Sequence, residues 1–219
     1  MERHELAAII DHTLLKPEAT AAQVEQLCQE AIEHGFASVC VSPTRVAQVA
    51  RLLQGHPSLA CAVVGFPSGA HHGATKAAEA ARAVEDGADE LDMVIDLGAL
   101  ADEGAEAVVR DVHAVRAAID DEVVLKVILE TAALTDAQLV AACEAAVGAG
   151  ADFVKTSTGF HPSGGASTHA VALLRATVGE EVGVKASGGI RTLADALAMV
   201  EAGANRLGMS AGVGVVTGA

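Results

Sequence analysis

The sequence predicts a single (β/α)8 TIM barrel with a short N-terminal helix, because segment types alternate along the chain and a joint between them is repeated. Eight apolar, β-rich segments alternate with alanine-rich segments of helical character. Continuous apolar strands are typical of a parallel sheet that is covered on both faces. A doubly wound open sheet has the same local pattern, but a count of eight strands favours the closed barrel.

The predicted elements fill most of the chain. The strands are segments 9–13, 38–42, 61–66, 90–96, 123–130, 152–157, 183–187 and 206–210. The helices between them are segments 21–34, 44–53, 75–85, 103–119, 136–147, 168–178 and 193–201. In helix 75–85 the charged residues form one polar stripe and the alanines face the sheet. This stripe consists of Lys76, Glu79, Arg82 and Glu85.

Four joints between a helix and the next strand have similar sequences, each centred on a glycine. The glycines are Gly35, Gly87, Gly150 and Gly203, at spacings of 52, 63 and 53 residues, about two βα units each. Glycine suits these positions because a helix often ends on a residue in the left-handed conformation. No linker interrupts the pattern, so we expect one catalytic domain over residues 1–219.

The composition provides a large aliphatic core and few aromatic side chains. Hydrophobic residues make up 51% of the chain and mean hydropathy is +0.38, but aromatic residues make up only 2%. The formal net charge of −15 would repel a nucleic-acid backbone, and no aromatic platform exists for bases to stack on. Nucleic-acid binding is therefore not expected. The acidic surface is interpreted as solvated, with adaptation to high salt as the alternative.

The sequence lacks the patterns of export and membrane insertion. The first residues, MERHE, are charged rather than apolar, and the most apolar stretch, 59–66, is too short to span a bilayer. The cysteines show no CxxC spacing and are predicted to be buried free thiols: Cys28, Cys40, Cys61 and Cys143. We expect a cytoplasmic protein without membrane partners, and a homo-oligomer is compatible with the sequence.

Three of the five lysines interrupt apolar strands, where lysine is unusual. Lys126, Lys155 and Lys185, called the strand lysines below, lie on three consecutive predicted strands. Alternation turns Lys155 and Lys185 into the barrel near the C-terminal strand ends, where barrel enzymes hold their chemistry. With few acids nearby, neighbouring ammonium groups favour a neutral amine, which can attack a carbonyl group and form a Schiff base. Structural pairing of each lysine with an acid is the alternative.

Two aspartates complete the predicted site inside the barrel. Asp92 lies between outward-facing apolar residues and is predicted to point inward, as a proton shuttle or as the counterion of Lys126 or Lys185. Asp11, at the end of the first strand, is predicted to hydrogen-bond substrate or to fix a loop. Lys126 and Asp11 are both counted among the substrate-binding residues.

Three predicted strands end in small, NH-rich loops, at residues 156–159, 187–190 and 208–212. Loops after the last strands of such barrels often hold phosphate through backbone NH groups. The candidate phosphate-binding residues are Thr158, Gly159, Gly188, Gly189, Gly208 and Ser210. Arg191 is a further candidate, with a helical ion pair to Asp195 as its alternative role.

Metal and nucleotide motifs are missing from the sequence. The nine histidines form no HxH or HExxH arrangement, and no GxGxxG or GxxxxGK[ST] motif is present. We therefore predict a site without metal or nucleotide cofactor.

Six motifs along the chain resemble those of deoxyribose-phosphate aldolases, a Schiff-base (class I) family. They are the segments 11–16, 64–67, 90–96, 125–131, 153–160 and 184–191. The resemblance runs in order over nearly the whole chain. It implies that Lys155 is the Schiff-base lysine and that Asp92 and Lys185 transfer protons, a choice among lysines that spacing leaves open. It also implies a phosphate site at Gly159, Gly188, Gly189 and Ser210.

The reaction implied by the resemblance is the reversible cleavage of 2-deoxy-D-ribose 5-phosphate to acetaldehyde and D-glyceraldehyde 3-phosphate. The implied small-molecule partners are therefore a sugar phosphate and an aldehyde. Two features depart from the family pattern: Met209 replaces a small hydroxyl residue, and the tail 215–219 lacks the tyrosine with which some members reach the site. Two alternatives remain at this point. One is another Schiff-base aldolase or transaldolase with a hydroxylated donor, and the other is a non-catalytic sugar-phosphate-binding barrel.

Overall fold

The computed structural model describes residues 1–218, and its eight strands close into one parallel barrel in sequence order. Each strand pairs with the next, and β1 pairs with β8 to close the ring. The strands are β1 Ile10–Leu14, β2 Ser38–Val41, β3 Leu59–Val64, β4 Glu90–Val94, β5 Val124–Ile128, β6 Phe153–Lys155, β7 Gly183–Ser187 and β8 Arg206–Met209. The predicted (β/α)8 fold is confirmed.

Ten helices surround the barrel within the described residues, together with 3-10 turns at Pro43–Arg45 and Thr131–Ala133. They are α1 Arg3–Ala7, α2 Ala21–His34, α3 Val46–Leu53, α4 Gly73–Glu85, α5 Leu97–Glu103, α6 Ala105–Arg116, α7 Asp136–Gly148, α8 Thr168–Val178, α9 Leu193–Glu201 and α10 Gly212–Thr217. The first is the predicted N-terminal helix. None of the helices in residues 1–218 combines the length and apolar character needed to cross a membrane. Ala219, the last residue of the predicted tail, lies outside the described residues.

The strands separate an outer apolar layer from a polar interior. In β5 the outward-facing Leu125 and Val127 are fully buried against the helices, whereas Lys126 between them points into the barrel. Complete burial of a Leu or Val side chain contributes about 1.5–3 kcal/mol, so this outer layer provides most of the driving force for folding. An aspartate at Val127 would disrupt it. Because the outer layer fixes the register, it also fixes which side chains meet inside.

The four joint glycines have the predicted backbone conformation. Gly35, Gly87, Gly150 and Gly203 have φ between 70° and 112°. Gly35 follows the last residue of α2, and its NH donates to Ala31 O. The joints therefore end the helices and start the next strands as the sequence predicts.

The predicted helix 103–119 is confirmed as α6, which is slightly shorter, but a separate short helix before it was not predicted. Helix α5 ends at Glu103 and α6 begins at Ala105, with Gly104 between them at φ 75° and ψ −159°. This conformation is far from helical and is one that glycine readily adopts. Asp96 caps α5 by accepting a hydrogen bond from Ala99 N at 3.0 Å. A short helix thus precedes α6.

The predicted polar stripe on α4 is wrong at Lys76, which is completely buried. Its ammonium group donates to Asp111 Oδ2 on α6 at 2.6 Å and to Val94 O at 2.8 Å. Its aliphatic stem packs beside Gly65, where a Cβ atom would lie 2.9 Å from Lys76 Cε. A carboxylate on the neighbouring helix therefore draws into the interior a lysine that periodicity assigns to the charged face.

Candidate active site

A cleft of about 280 Å³ opens at the carboxyl ends of the strands, between the loops that follow β1, β6, β7 and β8. Seven of the predicted site residues line it: Lys155, Thr158, Gly159, Gly188, Gly189, Gly208 and Ser210. Lys155 ends β6 and lies on the cleft wall, whereas Lys126 and Lys185 are not among the lining residues. Of the strand lysines, Lys155 therefore has its amine open to a ligand.

Asp92 joins the three strand lysines at one carboxylate. Its Oδ2 lies 2.6 Å from the Nζ atoms of both Lys155 and Lys185, and its Oδ1 lies 2.9 Å from Lys126 Nζ. Burial opposes ionisation, but the three ammonium groups outweigh it and hold the pKa of Asp92 well below its usual value. Asp92 is therefore a carboxylate that can accept a proton from a reacting group.

Further charged groups lie deeper in the barrel, and the expectation of few acids near the lysines is wrong. Lys126 Nζ lies 2.8 Å from Glu90 Oε2, and Arg206 Nε lies 2.8 Å from Asp11 Oδ1. Arg206 also pairs with Glu90, and Lys185 pairs with Asp11. Sequence reasoning missed Glu90 and Arg206. The signal was available, because Glu90 is two residues before Asp92 on β4 and so shares its face.

These acids raise the pKa values of the two deeper strand lysines, Lys185 and Lys126. Burial alone would lower the pKa of Lys185, but the carboxylates of Asp11 and Asp92 raise it above the usual value. The same balance raises the pKa of Lys126, chiefly through Asp92. Burial raises the pKa of Asp11, yet Lys185, followed by Lys126, lowers it to about 2. Lys185 is thus a protonated ammonium group, and Asp92 connects it to Lys155 on the cleft wall.

Asp11 and Lys126 were predicted to bind substrate, and this prediction needs correction. Both side chains are completely buried, and neither lines the cleft. Asp11 accepts a hydrogen bond from Ser38 Oγ at 2.7 Å and faces Lys185 and Arg206. The alternative considered for Asp11, fixing a loop, is not supported either, because the partners of its side chain lie on β2, β7 and β8. Asp11 and Lys126 contribute to the site electrostatically, because Asp11 pairs with Lys185 and Lys126 pairs with Asp92.

Side-chain hydrogen bonds fix the loops after β5, β6 and β7 relative to each other. Glu130 has a left-handed backbone (φ 56°), and its carboxylate accepts from Thr158 Oγ1 at 2.6 Å. Thr156 Oγ1 donates to Ser187 O at 3.1 Å and accepts from Ser187 N at 3.0 Å. Glu130 lies in a motif that sequence reasoning noted without assigning it a role. It positions the loop that carries Thr158 on the cleft wall.

Two glycines have definite steric roles at the cleft. Gly188 has φ 87°, and a Cβ atom there would lie 3.1 Å from Gly159 Cα, so the loops after β6 and β7 can touch. At Gly208 a Cβ atom would lie 3.1 Å from Lys185 Cε. Gly208 therefore makes room for the Lys185 side chain in addition to lining the cleft.

One group of side chains within residues 1–218 has the spacing of metal ligands. The ligand atoms of Cys40, Cys61 and Asp92 lie within 4.8 Å of one another, all buried. The Asp92 oxygens already contact three ammonium groups, which would repel a cation. The charge around this donor set does not suit a metal ion.

The fold and the site together define a (β/α)8-barrel enzyme, with a lysine on the wall of a cleft at the catalytic face of the barrel. The sequence profile of the DeoC/LacD family aldolases matches residues 6–218. This chain belongs to that family.

Named relatives agree over the full length of the chain. The deoxyribose-phosphate aldolase of Kocuria rhizophila is 60% identical over 216 residues, covering 99% of this chain and 97% of the relative. That of Halalkalibacterium halodurans is 55% identical, with coverages of 97% and 95%. The tetrameric deoxyribose phosphate aldolase of Aeropyrum pernix superposes with a TM-score of 0.91 at 38% identity, covering 99% of this chain and 91% of that structure. The resemblance described from the motifs is confirmed.

Proposed function

We propose that this protein reversibly cleaves 2-deoxy-D-ribose 5-phosphate to acetaldehyde and D-glyceraldehyde 3-phosphate through a Schiff base on Lys155. The observation that carries this proposal is that, of the strand lysines, Lys155 lines the cleft, 2.6 Å from Asp92. The names of the relatives support the choice of substrate.

In the cleavage direction, the Lys155 amine attacks the aldehyde carbon of the open-chain sugar, and loss of water gives a protonated imine. The imine withdraws electrons as the bond between C2 and C3 breaks, and the C3 hydroxyl group loses its proton. The two-carbon fragment remains on Lys155 as an enamine, which is protonated at C2 and hydrolysed to acetaldehyde.

Asp92 and Lys185 suit the proton transfers of these steps. Asp92 is ionised and contacts the Lys155 amine, so it can take and return protons, directly or through water. Lys185 donates to the same Asp92 oxygen, Oδ2, at 2.6 Å. Its positive charge keeps Asp92 ionised between proton transfers and opposes a second positive charge on Lys155.

The phosphate group is proposed to bind at the loops after β6, β7 and β8. Their lining residues are small and provide backbone NH groups, which suit a phosphate in the absence of side-chain bulk. Binding there leaves the sugar chain between the loops and Lys155, with its aldehyde toward the amine.

Reduction with borohydride tests the imine. With acetaldehyde present, we expect inactivation and an ethyl group on Lys155, located by peptide mass mapping. The Lys155→Met variant is the control and should remain unlabelled. A label on Lys126 or Lys185 would contradict the assignment, and no label at all would favour a non-catalytic barrel. Substitution of dihydroxyacetone for acetaldehyde tests the alternative donor class.

We also propose that the reaction needs no metal ion, because the protonated imine withdraws the electrons that a metal would otherwise withdraw. The crowding of ammonium groups around Asp92 supports this. Activity should be the same with and without EDTA. Loss of activity in EDTA that zinc restores would assign the protein to the metal-dependent aldolases.

We further propose a cytoplasmic homo-oligomer. The four cysteines in the described chain are free and buried, as suits a reducing compartment, and the Aeropyrum pernix relative is described as tetrameric. Light scattering during size-exclusion chromatography measures the oligomeric state.

A further inference from the structure

The lysines of this protein are distributed unusually. Of the five, Lys76, Lys126, Lys155 and Lys185 are between 0% and 4% exposed, which leaves Lys16 as the one lysine on the surface. Lys16 follows β1 and lines the cleft. Lysine is ordinarily the most freely exposed residue, so the restriction of surface lysine to this one place distinguishes the cleft entrance from the rest of the surface.

Within residues 1–218, the charged residues that line the cleft are all positive. Among its lining residues, Lys16, Lys155 and Arg191 are cationic and none is acidic, although the chain has 29 acidic residues and a net charge of −15. The ion pair considered between Arg191 and Asp195 is not formed within residues 1–218. Asp195 instead accepts from the backbone NH of Arg191 at 3.1 Å. The Arg191 guanidinium group thus stays available at the cleft.

The backbone at Lys16 is held while its side chain is free. Lys16 O accepts a hydrogen bond from Ala19 N at 3.0 Å, and Pro17 restricts the residue before it. The ammonium group has no carboxylate within ion-pair distance in the described part of the chain. A fixed Cα atom with a long, unpaired cationic side chain suits the capture of a mobile anion.

We propose that Lys16 is a specificity-determining residue that, together with Arg191, draws the phosphate group of the substrate into the cleft. This inference rests on the proposed function and adds a residue that the phosphate-loop assignment did not contain. A sugar phosphate carries about two negative charges and is repelled by most of this acidic surface. The two cations at the entrance reverse that repulsion locally, and a neutral sugar gains nothing from them.

The test compares Lys16→Met with Arg51→Met on two substrates, 2-deoxyribose 5-phosphate and 2-deoxyribose. Arg51 is an exposed arginine on α3 outside the cleft, so both variants lose one surface charge. For Lys16→Met we expect kcat/KM on the phosphate to fall about tenfold, or about 1.4 kcal/mol, mostly through KM. On 2-deoxyribose its loss should be less than about twofold. The Lys16→Arg variant should regain most of the activity.

Ionic strength provides a second measurement. The kcat/KM of the wild-type protein on the phosphate should fall with added salt, and the fall should be shallower in Lys16→Met than in Arg51→Met. Equal losses of Lys16→Met on both substrates, or equal effects of the two variants, would overturn the inference. A wild-type protein that does not cleave 2-deoxyribose 5-phosphate would instead refute the proposed function.

Discussion

Two groups of buried lysines can be compared in this barrel, one between helices and one between strands. Lys76, between α4 and α6, meets one carboxylate, Asp111, at 2.6 Å. The three strand lysines share Asp92, and the ammonium groups of Lys155 and Lys185 each lie 2.6 Å from its Oδ2. Burial and pairing are alike in the two groups, so neither property identifies the active site.

The two groups differ in the number of ammonium groups around the carboxylate and in their access to a cleft. Burial raises the pKa of Asp111, because the single ammonium group of Lys76 does not offset it. At Asp92 three ammonium groups reverse the direction of the shift. Only the second group reaches a cleft, through Lys155. Several cations around one carboxylate, with one amine open to a ligand, indicate chemistry, whereas a closed pair of one cation and one acid indicates structure.

Removal of the shared ammonium group should have the largest effect on activity. Lys185→Met removes a cation that keeps Asp92 ionised for proton transfer, and the positive charge that opposes a further positive charge on Lys155. We expect kcat/KM at pH 7 to fall by about 100-fold or more, with partial recovery at higher pH. The measurement is the pH profile of kcat/KM on a variant whose circular dichroism spectrum matches the wild type.

Partial recovery at high pH would identify the electrostatic share of the loss, and the remainder would belong to proton transfer or packing. A folded Lys185→Met variant with wild-type activity and pH profile would show that Lys185 is a structural charge. Lys185 would then belong with Lys76 in this comparison.

The same substitution in the closed pair should affect stability and leave the chemistry largely intact. Lys76→Met leaves Asp111 buried without its cation, and loses the hydrogen bond to Val94 O. We expect unfolding to become easier by about 3 kcal/mol, measured by denaturant titration. The kcat/KM of the folded variant should stay within about threefold of the wild type. A loss comparable to that of Lys185→Met would erase the distinction between the two groups.

The barrel could be predicted from the sequence because its two main signals, the alternation along each strand and the repeated joint glycines, are local. Alternation along β5, β6 and β7 depends only on neighbouring residues, as do the joint glycines. The inward side chains of Lys126, Lys155 and Lys185 could therefore be predicted. The short helix α5 was not predicted, and the predicted start of the next helix ran across Gly104, because an isolated glycine is tolerated in many helices. A glycine alone does not reveal whether its φ will be positive.

The charge partners were harder to predict because they are set by tertiary packing. Lys76 and Asp111 are 35 residues apart, and Arg206 and Glu90 are 116 residues apart. Nothing local distinguishes Lys76 from the exposed charges of α4, so only the position of α6 reveals its burial. The nucleophile was likewise left open by spacing, and the opening of the cleft at Lys155 is a property of the folded loops.

The smallest expected effect concerns stability in acid. The acids paired with the strand lysines and the acid paired with Lys76 should change the stability in opposite directions as the pH falls. Asp11 has a pKa of about 2 in the folded protein, against an ordinary value of 3.8. Its contribution to stability is therefore complete above pH 4 and is lost as the pH falls from about 4 to 2. That contribution is about 2 kcal/mol. Asp111 has a raised pKa, so its own contribution changes in the opposite direction.

Thermal unfolding of the wild type between pH 5 and 2 should show a melting temperature that falls most steeply below pH 4. In Asp11→Asn the fall of the melting temperature below pH 4 should be shallower, because the titrating carboxylate is gone. The variant should also be less stable overall, because Arg206 and Lys185 lose a partner. If that variant does not fold, calorimetry of the wild type in two buffers at pH 3 counts the protons bound on unfolding. Proton uptake is expected, since the unfolded carboxylates bind protons that the folded ones exclude. Proton release at pH 3 would mean that acids such as Asp111, and not the strand group, control acid stability.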